Sequence, residues 1–128
     1  MQILGIDFGE KKIGLAKATT MLAEVYGVIR VESVAEAVSK VKKVVQREKI
    51  EKIVVGISEG KTAEETRKFE EILSKVVKIP IVFQDETLST QEAQDLTIEA
   101  GINRKKRKEL EDAYTAAVIL QRYLDNLK

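Results

Sequence analysis

Three strand-like stretches follow one another before any helical spacing appears, and that order limits the folds open to the chain. Ile3-Leu4-Gly5-Ile6-Asp7-Phe8 is an apolar run closed by Gly9, a buried strand carrying one carboxylate near its end. Gly9-Glu10-Lys11-Lys12 makes a turn. Ile13 to Lys17 then alternates apolar with polar or small residues, so a second strand returns antiparallel as a hairpin. Leu22 to Val31 supplies a third strand through Val25, Tyr26, Val28, Ile29 and Val31. From Ser33 the period changes: Val34, Val38, Val41 and Val45 stand 4, 3 and 4 apart, one face of an amphipathic helix ending near Glu48. Ile53-Val54-Val55-Gly56-Ile57 is apolar throughout, as in strands buried on both faces of a parallel sheet.

The same alternation of strand and helix continues to the end. Thr62 with Glu65 forms a capping box ahead of Phe69, Ile72, Leu73 and Val76. Ile79 to Phe83 reads as another buried strand, with Pro80 tolerated at its start. Ser89 with Glu92 opens a helix through Ala93, Leu96 and Ala100 that stops at Gly101. Leu110, Ala113, Ala117, Leu120 and Leu124 mark the last helix. The order βββαβαβαα predicts a single α/β domain over 1–128. Its five-stranded mixed sheet has three antiparallel then two parallel strands, flanked by helices.

Composition decides which chemistry such a domain can host. The 128 residues include no Cys and no His. That excludes Cys or Ser–His nucleophiles, zinc sites built on Cys or His, and histidine acid–base catalysis. What remains is carboxylates, lysines, hydroxyls, backbone, or a hard metal such as Mg²⁺ that prefers oxygen. No apolar run approaches the roughly 20 residues of a membrane span, and the N-terminus enters a strand rather than a signal-peptide pattern. Without cysteines the expectation is a cytoplasmic protein with no membrane contact.

Four carboxylates stand in unusual places. Asp7 interrupts an apolar strand, Asp85 and Glu86 follow a strand at its C-terminal end, and Asp112 lies in the first turns of the last helix. Helical projection puts Asp112 on the flank shared with Ala116 and Tyr123, bordering the buried face. Taken singly, each Asp also fits a structural role: a turn residue, a loop cap, a favourable charge at a helix start. A carboxylate on a central strand, however, needs a cation or hydrogen-bond donors, and no His is available to supply them. Two or three carboxylates at one strand end suit Mg²⁺ or Mn²⁺ and phosphodiester hydrolysis.

The net charge of +1 is unremarkable, but its distribution is not. Arg104, Lys105, Lys106, Arg107 and Lys108 form an unbroken basic run just before the helix bearing Asp112, which is expected to begin near Lys108. Such a run can simply be a solvated stretch at a helix entrance. Cations at a helix N-terminus oppose the macrodipole, though, so helix stability does not explain them. Phosphate contacts do, and Lys11 and Lys12 in the hairpin can join the same surface.

Three blocks of sequence resemble the YqgF family of Holliday-junction-resolvase-like bacterial proteins. Ile6-Asp7-Phe8-Gly9-Glu10-Lys11-Lys12-Ile13-Gly14-Leu15-Ala16 is similar to its opening motif. Asp85-Glu86-Thr87-Leu88-Ser89-Thr90-Gln91-Glu92-Ala93 resembles its "D-E-R-hydrophobic-T/S-T-x-x-A". The stretch from Asp112 to Leu124 resembles its "D-x-x-A-A-x-x-I-L-x-x-Y-L". The resemblance implies a ribonuclease H-like fold and a nuclease that matures the 5′ end of pre-16S ribosomal RNA. Resolution of four-way DNA junctions is the alternative. It implies Asp7, Glu86 and Asp112 as catalytic metal ligands for Mg²⁺ or Mn²⁺, and nucleic acid as partner, with the ribosome as a further one. The oligomeric expectation is a monomer or weak homodimer. The chain departs from the family at Glu10, where Thr is usual, at Thr87 for Arg, at Thr115 for Ala, and in the short Pro-free loop Ile57-Ser58-Glu59-Gly60.

Two rival classes share the early pattern. The "Asp-x-Gly" hairpin also opens actin-like ATPases and sugar kinases, but those need two such lobes, and position 10 here is Glu rather than Ser or Thr. The other rival is a non-catalytic nucleic-acid-binding module on the same fold.

Overall fold

The computed structural model describes residues 1–57, 63–85 and 104–127, with 104–109 described by backbone alone. Strands β1 (Ile3–Phe8), β2 (Lys12–Ala18) and β3 (Glu24–Arg30) precede helix α1 (Val34–Arg47). Strand β4 (Lys52–Ile57), helix α2 (Ala63–Val76), strand β5 (Ile81–Asp85) and helix α3 (Arg104–Asp125) follow. The expected capping residue Thr62 and the expected helix from Ser89 to Ala100 lie outside the described residues.

The five strands form one sheet in the order β3-β2-β1-β4-β5. β1 pairs antiparallel with β2 and parallel with β4, so it is the central strand on which the two halves of the sheet meet. The expected mixed sheet is thus observed. Alternation along β1 divides two cores. Leu4, Ile6 and Phe8 face α1 and α2, in a cluster with Val38, Val41, Phe69 and Leu73. Ile3 faces α3, in a cluster with Ala16, Ala18, Val54, Ala116, Ile119, Leu120 and Leu124. Phe8 stacks on Phe69 with ring centroids 4.7 Å apart, a contact of about 0.5–1.5 kcal/mol beyond its buried area. That stack holds the strand one residue beyond Asp7.

Two boundaries differ from the sequence reading. β5 runs over Ile81–Asp85 rather than Ile79–Phe83, so Asp85 belongs to the strand, paired with Ile57. The shift follows from proline: Pro80 has no N–H to give the ladder, and its carbonyl instead accepts from Ile53 N at 3.0 Å. β5 is also an edge strand, and Phe83 is 41% exposed. It is therefore less buried than its apolar composition suggests. The last helix begins at Arg104, which puts Asp112 more than two turns inside it rather than in its first turns.

Helix α1 shows how local signals set an element's ends. Ser33 Oγ accepts from Glu36 N at 3.1 Å, closing the N-terminus. At the other end Ile50 N donates to Val45 O at 3.0 Å across Lys49, whose φ is 53°. This is the glycine position of a helix C-terminal turn occupied by lysine. A left-handed non-glycine residue costs roughly 1 kcal/mol or more, partly offset by the extra freedom glycine has when unfolded. Lys49→Gly is expected to stabilise the fold by roughly 0.5–1 kcal/mol; a lower denaturant midpoint for the variant would contradict this account.

Candidate active site

Asp7 is the last residue but one of the central strand, partly buried, and paired across the hairpin with Gly14. By alternation it shares the α3 face with Ile3 and Gly5. The two glycines explain how close α3 comes. A Cβ on Gly5 would stand 2.8 Å from Leu120 Cβ and 3.1 Å from the Ala116 carbonyl oxygen. A Cβ on Gly14 would run into the carbonyl group of Asp112 itself. The helix backbone at Asp112 therefore rests on the residue that pairs with Asp7. Asp7 and Asp112, far apart in the chain, come to one face and one end of the sheet.

The third expected carboxylate, Glu86, lies outside the described residues. Ile6 pairs with Val55 and Val55 with Phe83, so the C-terminal ends of β1, β4 and β5 are level. Asp85 closes β5 at that end. Among the described residues, no three acidic side chains gather as metal ligands. The donor set of Asp7 and Asp112, carboxylate oxygens alone, fits a hard dication such as Mg²⁺ or Mn²⁺ rather than a soft metal. A hollow of about 390 Å³ beside Gln84, Asp85, Arg122, Asp125 and Asn126 includes neither Asp7 nor Asp112 in its lining.

Cations border the carboxylates. Lys12 opens β2 on the same face as Gly14, and its Nζ lies 3.6 Å from Asp112 Oδ2. Opposite Lys12 in the β2–β3 register stands exposed Arg30, a candidate phosphate contact that local sequence pattern does not mark. The signal for it is cross-strand register, which appears only once β3 is paired. Lys11 is exposed in the turn, and its carbonyl accepts from Val31 N at 2.9 Å. Arg104 to Lys108 are the first five residues of α3, whose first turn holds no acidic residue. Asp112 follows Arg104 by eight positions, about 12 Å along the axis. Thr115, where the family has Ala, is buried and donates its hydroxyl to Glu111 O at 3.0 Å, so the substitution leaves no unsatisfied donor.

Glu10, where the family has Thr, meets a second carboxylate on helix α2. A hydrogen bond shared with the Glu10 carboxyl, then burial and the charges of Glu10 and Glu64, hold the Glu65 carboxyl above its ordinary value. Oε2 of Glu65 is enclosed without a hydrogen-bond partner. A carboxyl raised on folding contributes stability below its unfolded value and loses it as pH rises through its folded value. Glu10→Thr is therefore expected to stabilise the protein near neutrality, with the gain shrinking as pH falls toward about 4. Thermal melts showing the same difference at both pH values would reject like-charge contact as the cause.

Gly14 supplies a second check. Gly14→Ala should destabilise strongly, by several kcal/mol as in other overpacked sites, since the obstacle is backbone rather than a flexible side chain. A variant melting with the parent would mean that α3 does not press on β2 at Asp112.

Comparison with known proteins agrees with this geometry. A protein of Syntrophomonas wolfei named "Putative pre-16S rRNA nuclease" is 38% identical over 133 residues, covering 98% of this chain and 94% of the relative. One of the same name from Caldanaerobacter subterraneus is 39% identical and covers 100% of this chain and 99% of its own length. Among solved structures, Thermus thermophilus RuvC in complex with a Holliday junction substrate superposes with a TM-score of 0.65 at 16% identity, covering 99% of this chain and 95% of that one. The fowlpox virus resolvase in complex with Holliday junction DNA gives 0.66 at 11% identity, with 99% of each chain covered. At such identities these two establish the fold, the ribonuclease H-like sheet of the resolvases. Residues 1–126 match the model of RuvX, described as Holliday junction resolvase, and with relatives this similar along their whole length the chain belongs to the RuvX family.

Proposed function

We propose that this protein is a divalent-metal-dependent endonuclease that hydrolyses nucleic-acid phosphodiesters, with the 5′ end of pre-16S ribosomal RNA as its target. The observation that carries the proposal is the seating of Asp112 over Gly14, opposite Asp7, at one end of the sheet. Two carboxylates there, together with Glu86, would hold Mg²⁺ or Mn²⁺. When bound, the ion eases ionisation of the attacking water and offsets charge on the leaving oxygen. The chain's own residues do the rest. Lys11, Lys12 and the run from Arg104 to Lys108 contact phosphates and set the register of the strand against the carboxylates. Ribosomal RNA is preferred as substrate because the relatives at 38–39% identity bear that name. Such an enzyme works in the cytoplasm, as a monomer or weak homodimer, on free or ribosome-bound precursor.

Junction resolution is the second reading, favoured by the description of the family model and by the DNA in the fold neighbours. Incubation with rRNA precursor, a four-way DNA junction and plain duplexes, each with Mg²⁺ or Mn²⁺, separates the two. Cleavage of the precursor near the mature 5′ end is expected, and cleavage of the junction alone would select the second reading. Asp7→Asn keeps the shape of the side chain and removes its charge, so cleavage should fall by orders of magnitude, about 10²-fold or more, in a folded protein. A folded Asp7→Asn protein cutting at the parent rate would remove Asp7 from the catalytic centre and overturn this mechanism.

A further inference from the structure

Lys12 is a cation placed against an expected metal ligand, and its position follows from the fold. It stands two residues before Gly14 on β2, hence on the same face. Gly9 turns tightly enough that a Cβ there would lie 2.6 Å from the Lys12 carbonyl oxygen, so the hairpin fixes where the lysine stem begins. From that point Nζ reaches to 3.6 Å from Asp112 Oδ2. The pair is loose. Lysine and aspartate side chains are 43% and 32% exposed, and pairs this wet are weak and readily exchanged.

We propose that Lys12 is a displaceable counter-ion: it neutralises Asp112 in the metal-free protein and transfers to a substrate phosphate when a divalent cation takes the carboxylate. The inference rests on the metal-dependent reading above. The ammonium and a dication cannot share Asp112 without repelling each other, so binding of one opposes binding of the other. The lysine stem is flexible and its head needs only a new anion. A nucleic-acid phosphate brought to the site is that anion, and Arg30 across the strand stands level to share it. Drawing Lys12 off Asp112 then frees the carboxylate for metal. Metal and nucleic acid therefore bind with positive linkage, and linkage is reciprocal.

The test needs no turnover. Mn²⁺ is titrated calorimetrically into the full-length parent, Lys12→Met and Lys12→Arg proteins in the absence of nucleic acid. Lys12→Met, which removes the competing charge, should bind Mn²⁺ about two- to fivefold more tightly than the parent, the range expected for losing one exposed ion pair. Lys12→Arg should restore the parent affinity. A second measurement adds a four-way junction or RNA with Ca²⁺ in place of Mg²⁺. There Lys12→Met should bind nucleic acid more weakly, with the slope of log affinity against log salt reduced by about one. Equal or weaker Mn²⁺ binding by Lys12→Met overturns the counter-ion role while leaving the metal site intact. Absence of Mn²⁺ binding in all three proteins overturns the metal-dependent reading itself, and with it this inference. Circular dichroism of Lys12→Gln, a second neutral variant, guards against misfolding, and its Mn²⁺ affinity should match that of Lys12→Met.

Discussion

The close approach of one helix to the sheet organises the molecule. Helix α3 can lie directly on β1 and β2 because Gly5 and Gly14 have no side chains beneath it, with Ala16 and Ala18 continuing the small surface along β2. The helix answers with Ala113, Ala116 and Ala117 before its larger residues, Ile119, Leu120 and Leu124, fill the far half of the cluster. Small surfaces on both partners shorten the distance between backbones, and dispersion rises steeply as atoms close to contact. The gain is more than cohesion. A helix held at that separation carries Asp112 to the central strand; pushed outward by one methyl group, it would carry the carboxylate away from Asp7.

Much of this architecture is legible in the sequence, and the parts that are not share a cause. The apolar run from Ile3 to Phe8, alternation over Ile13 to Lys17, then period 3.6 from Val34 to Val45, locate β1, β2 and α1 to within a residue or so. Ile53 to Ile57 reads as a strand with both faces covered, and so it is. β5 is misplaced by two residues because apolar composition marks Ile79 as readily as Ile81, and pairing with β4 rather than composition decides the start. The start of α3 is hidden for a similar reason. Arg104 to Lys108 carry no apolar period, so the helical stripe becomes visible at Leu110 although the backbone is helical earlier.

The site divides along the same line. Asp7 and Asp112 are conspicuous as charges at the edges of apolar patterns, and their combination, with the resemblance, marks them as candidates. Contacts made across strands are not conspicuous. Arg30 ends a strand of ordinary composition, and the register with Lys12 brings it into consideration. Glu10 is visible as a departure from its family, but its partner Glu65 lies on a different element, and no local spacing links the two. Sequence period reports which face a residue takes; it is silent on which residue meets it from another segment.

The central place of β1 has a consequence for the way the protein breathes. Strands at the rim of a sheet, β3 and β5 here, have a neighbour on one side and open at lower free energy than the middle strand, whose amides are protected by β2 and β4 together. Ile3 to Ile6, paired on both sides, therefore belong to the slowest-exchanging unit of the fold, and Asp7 follows them directly. The strand that leads to the aspartate thus stays in register through fluctuations that fray the margins.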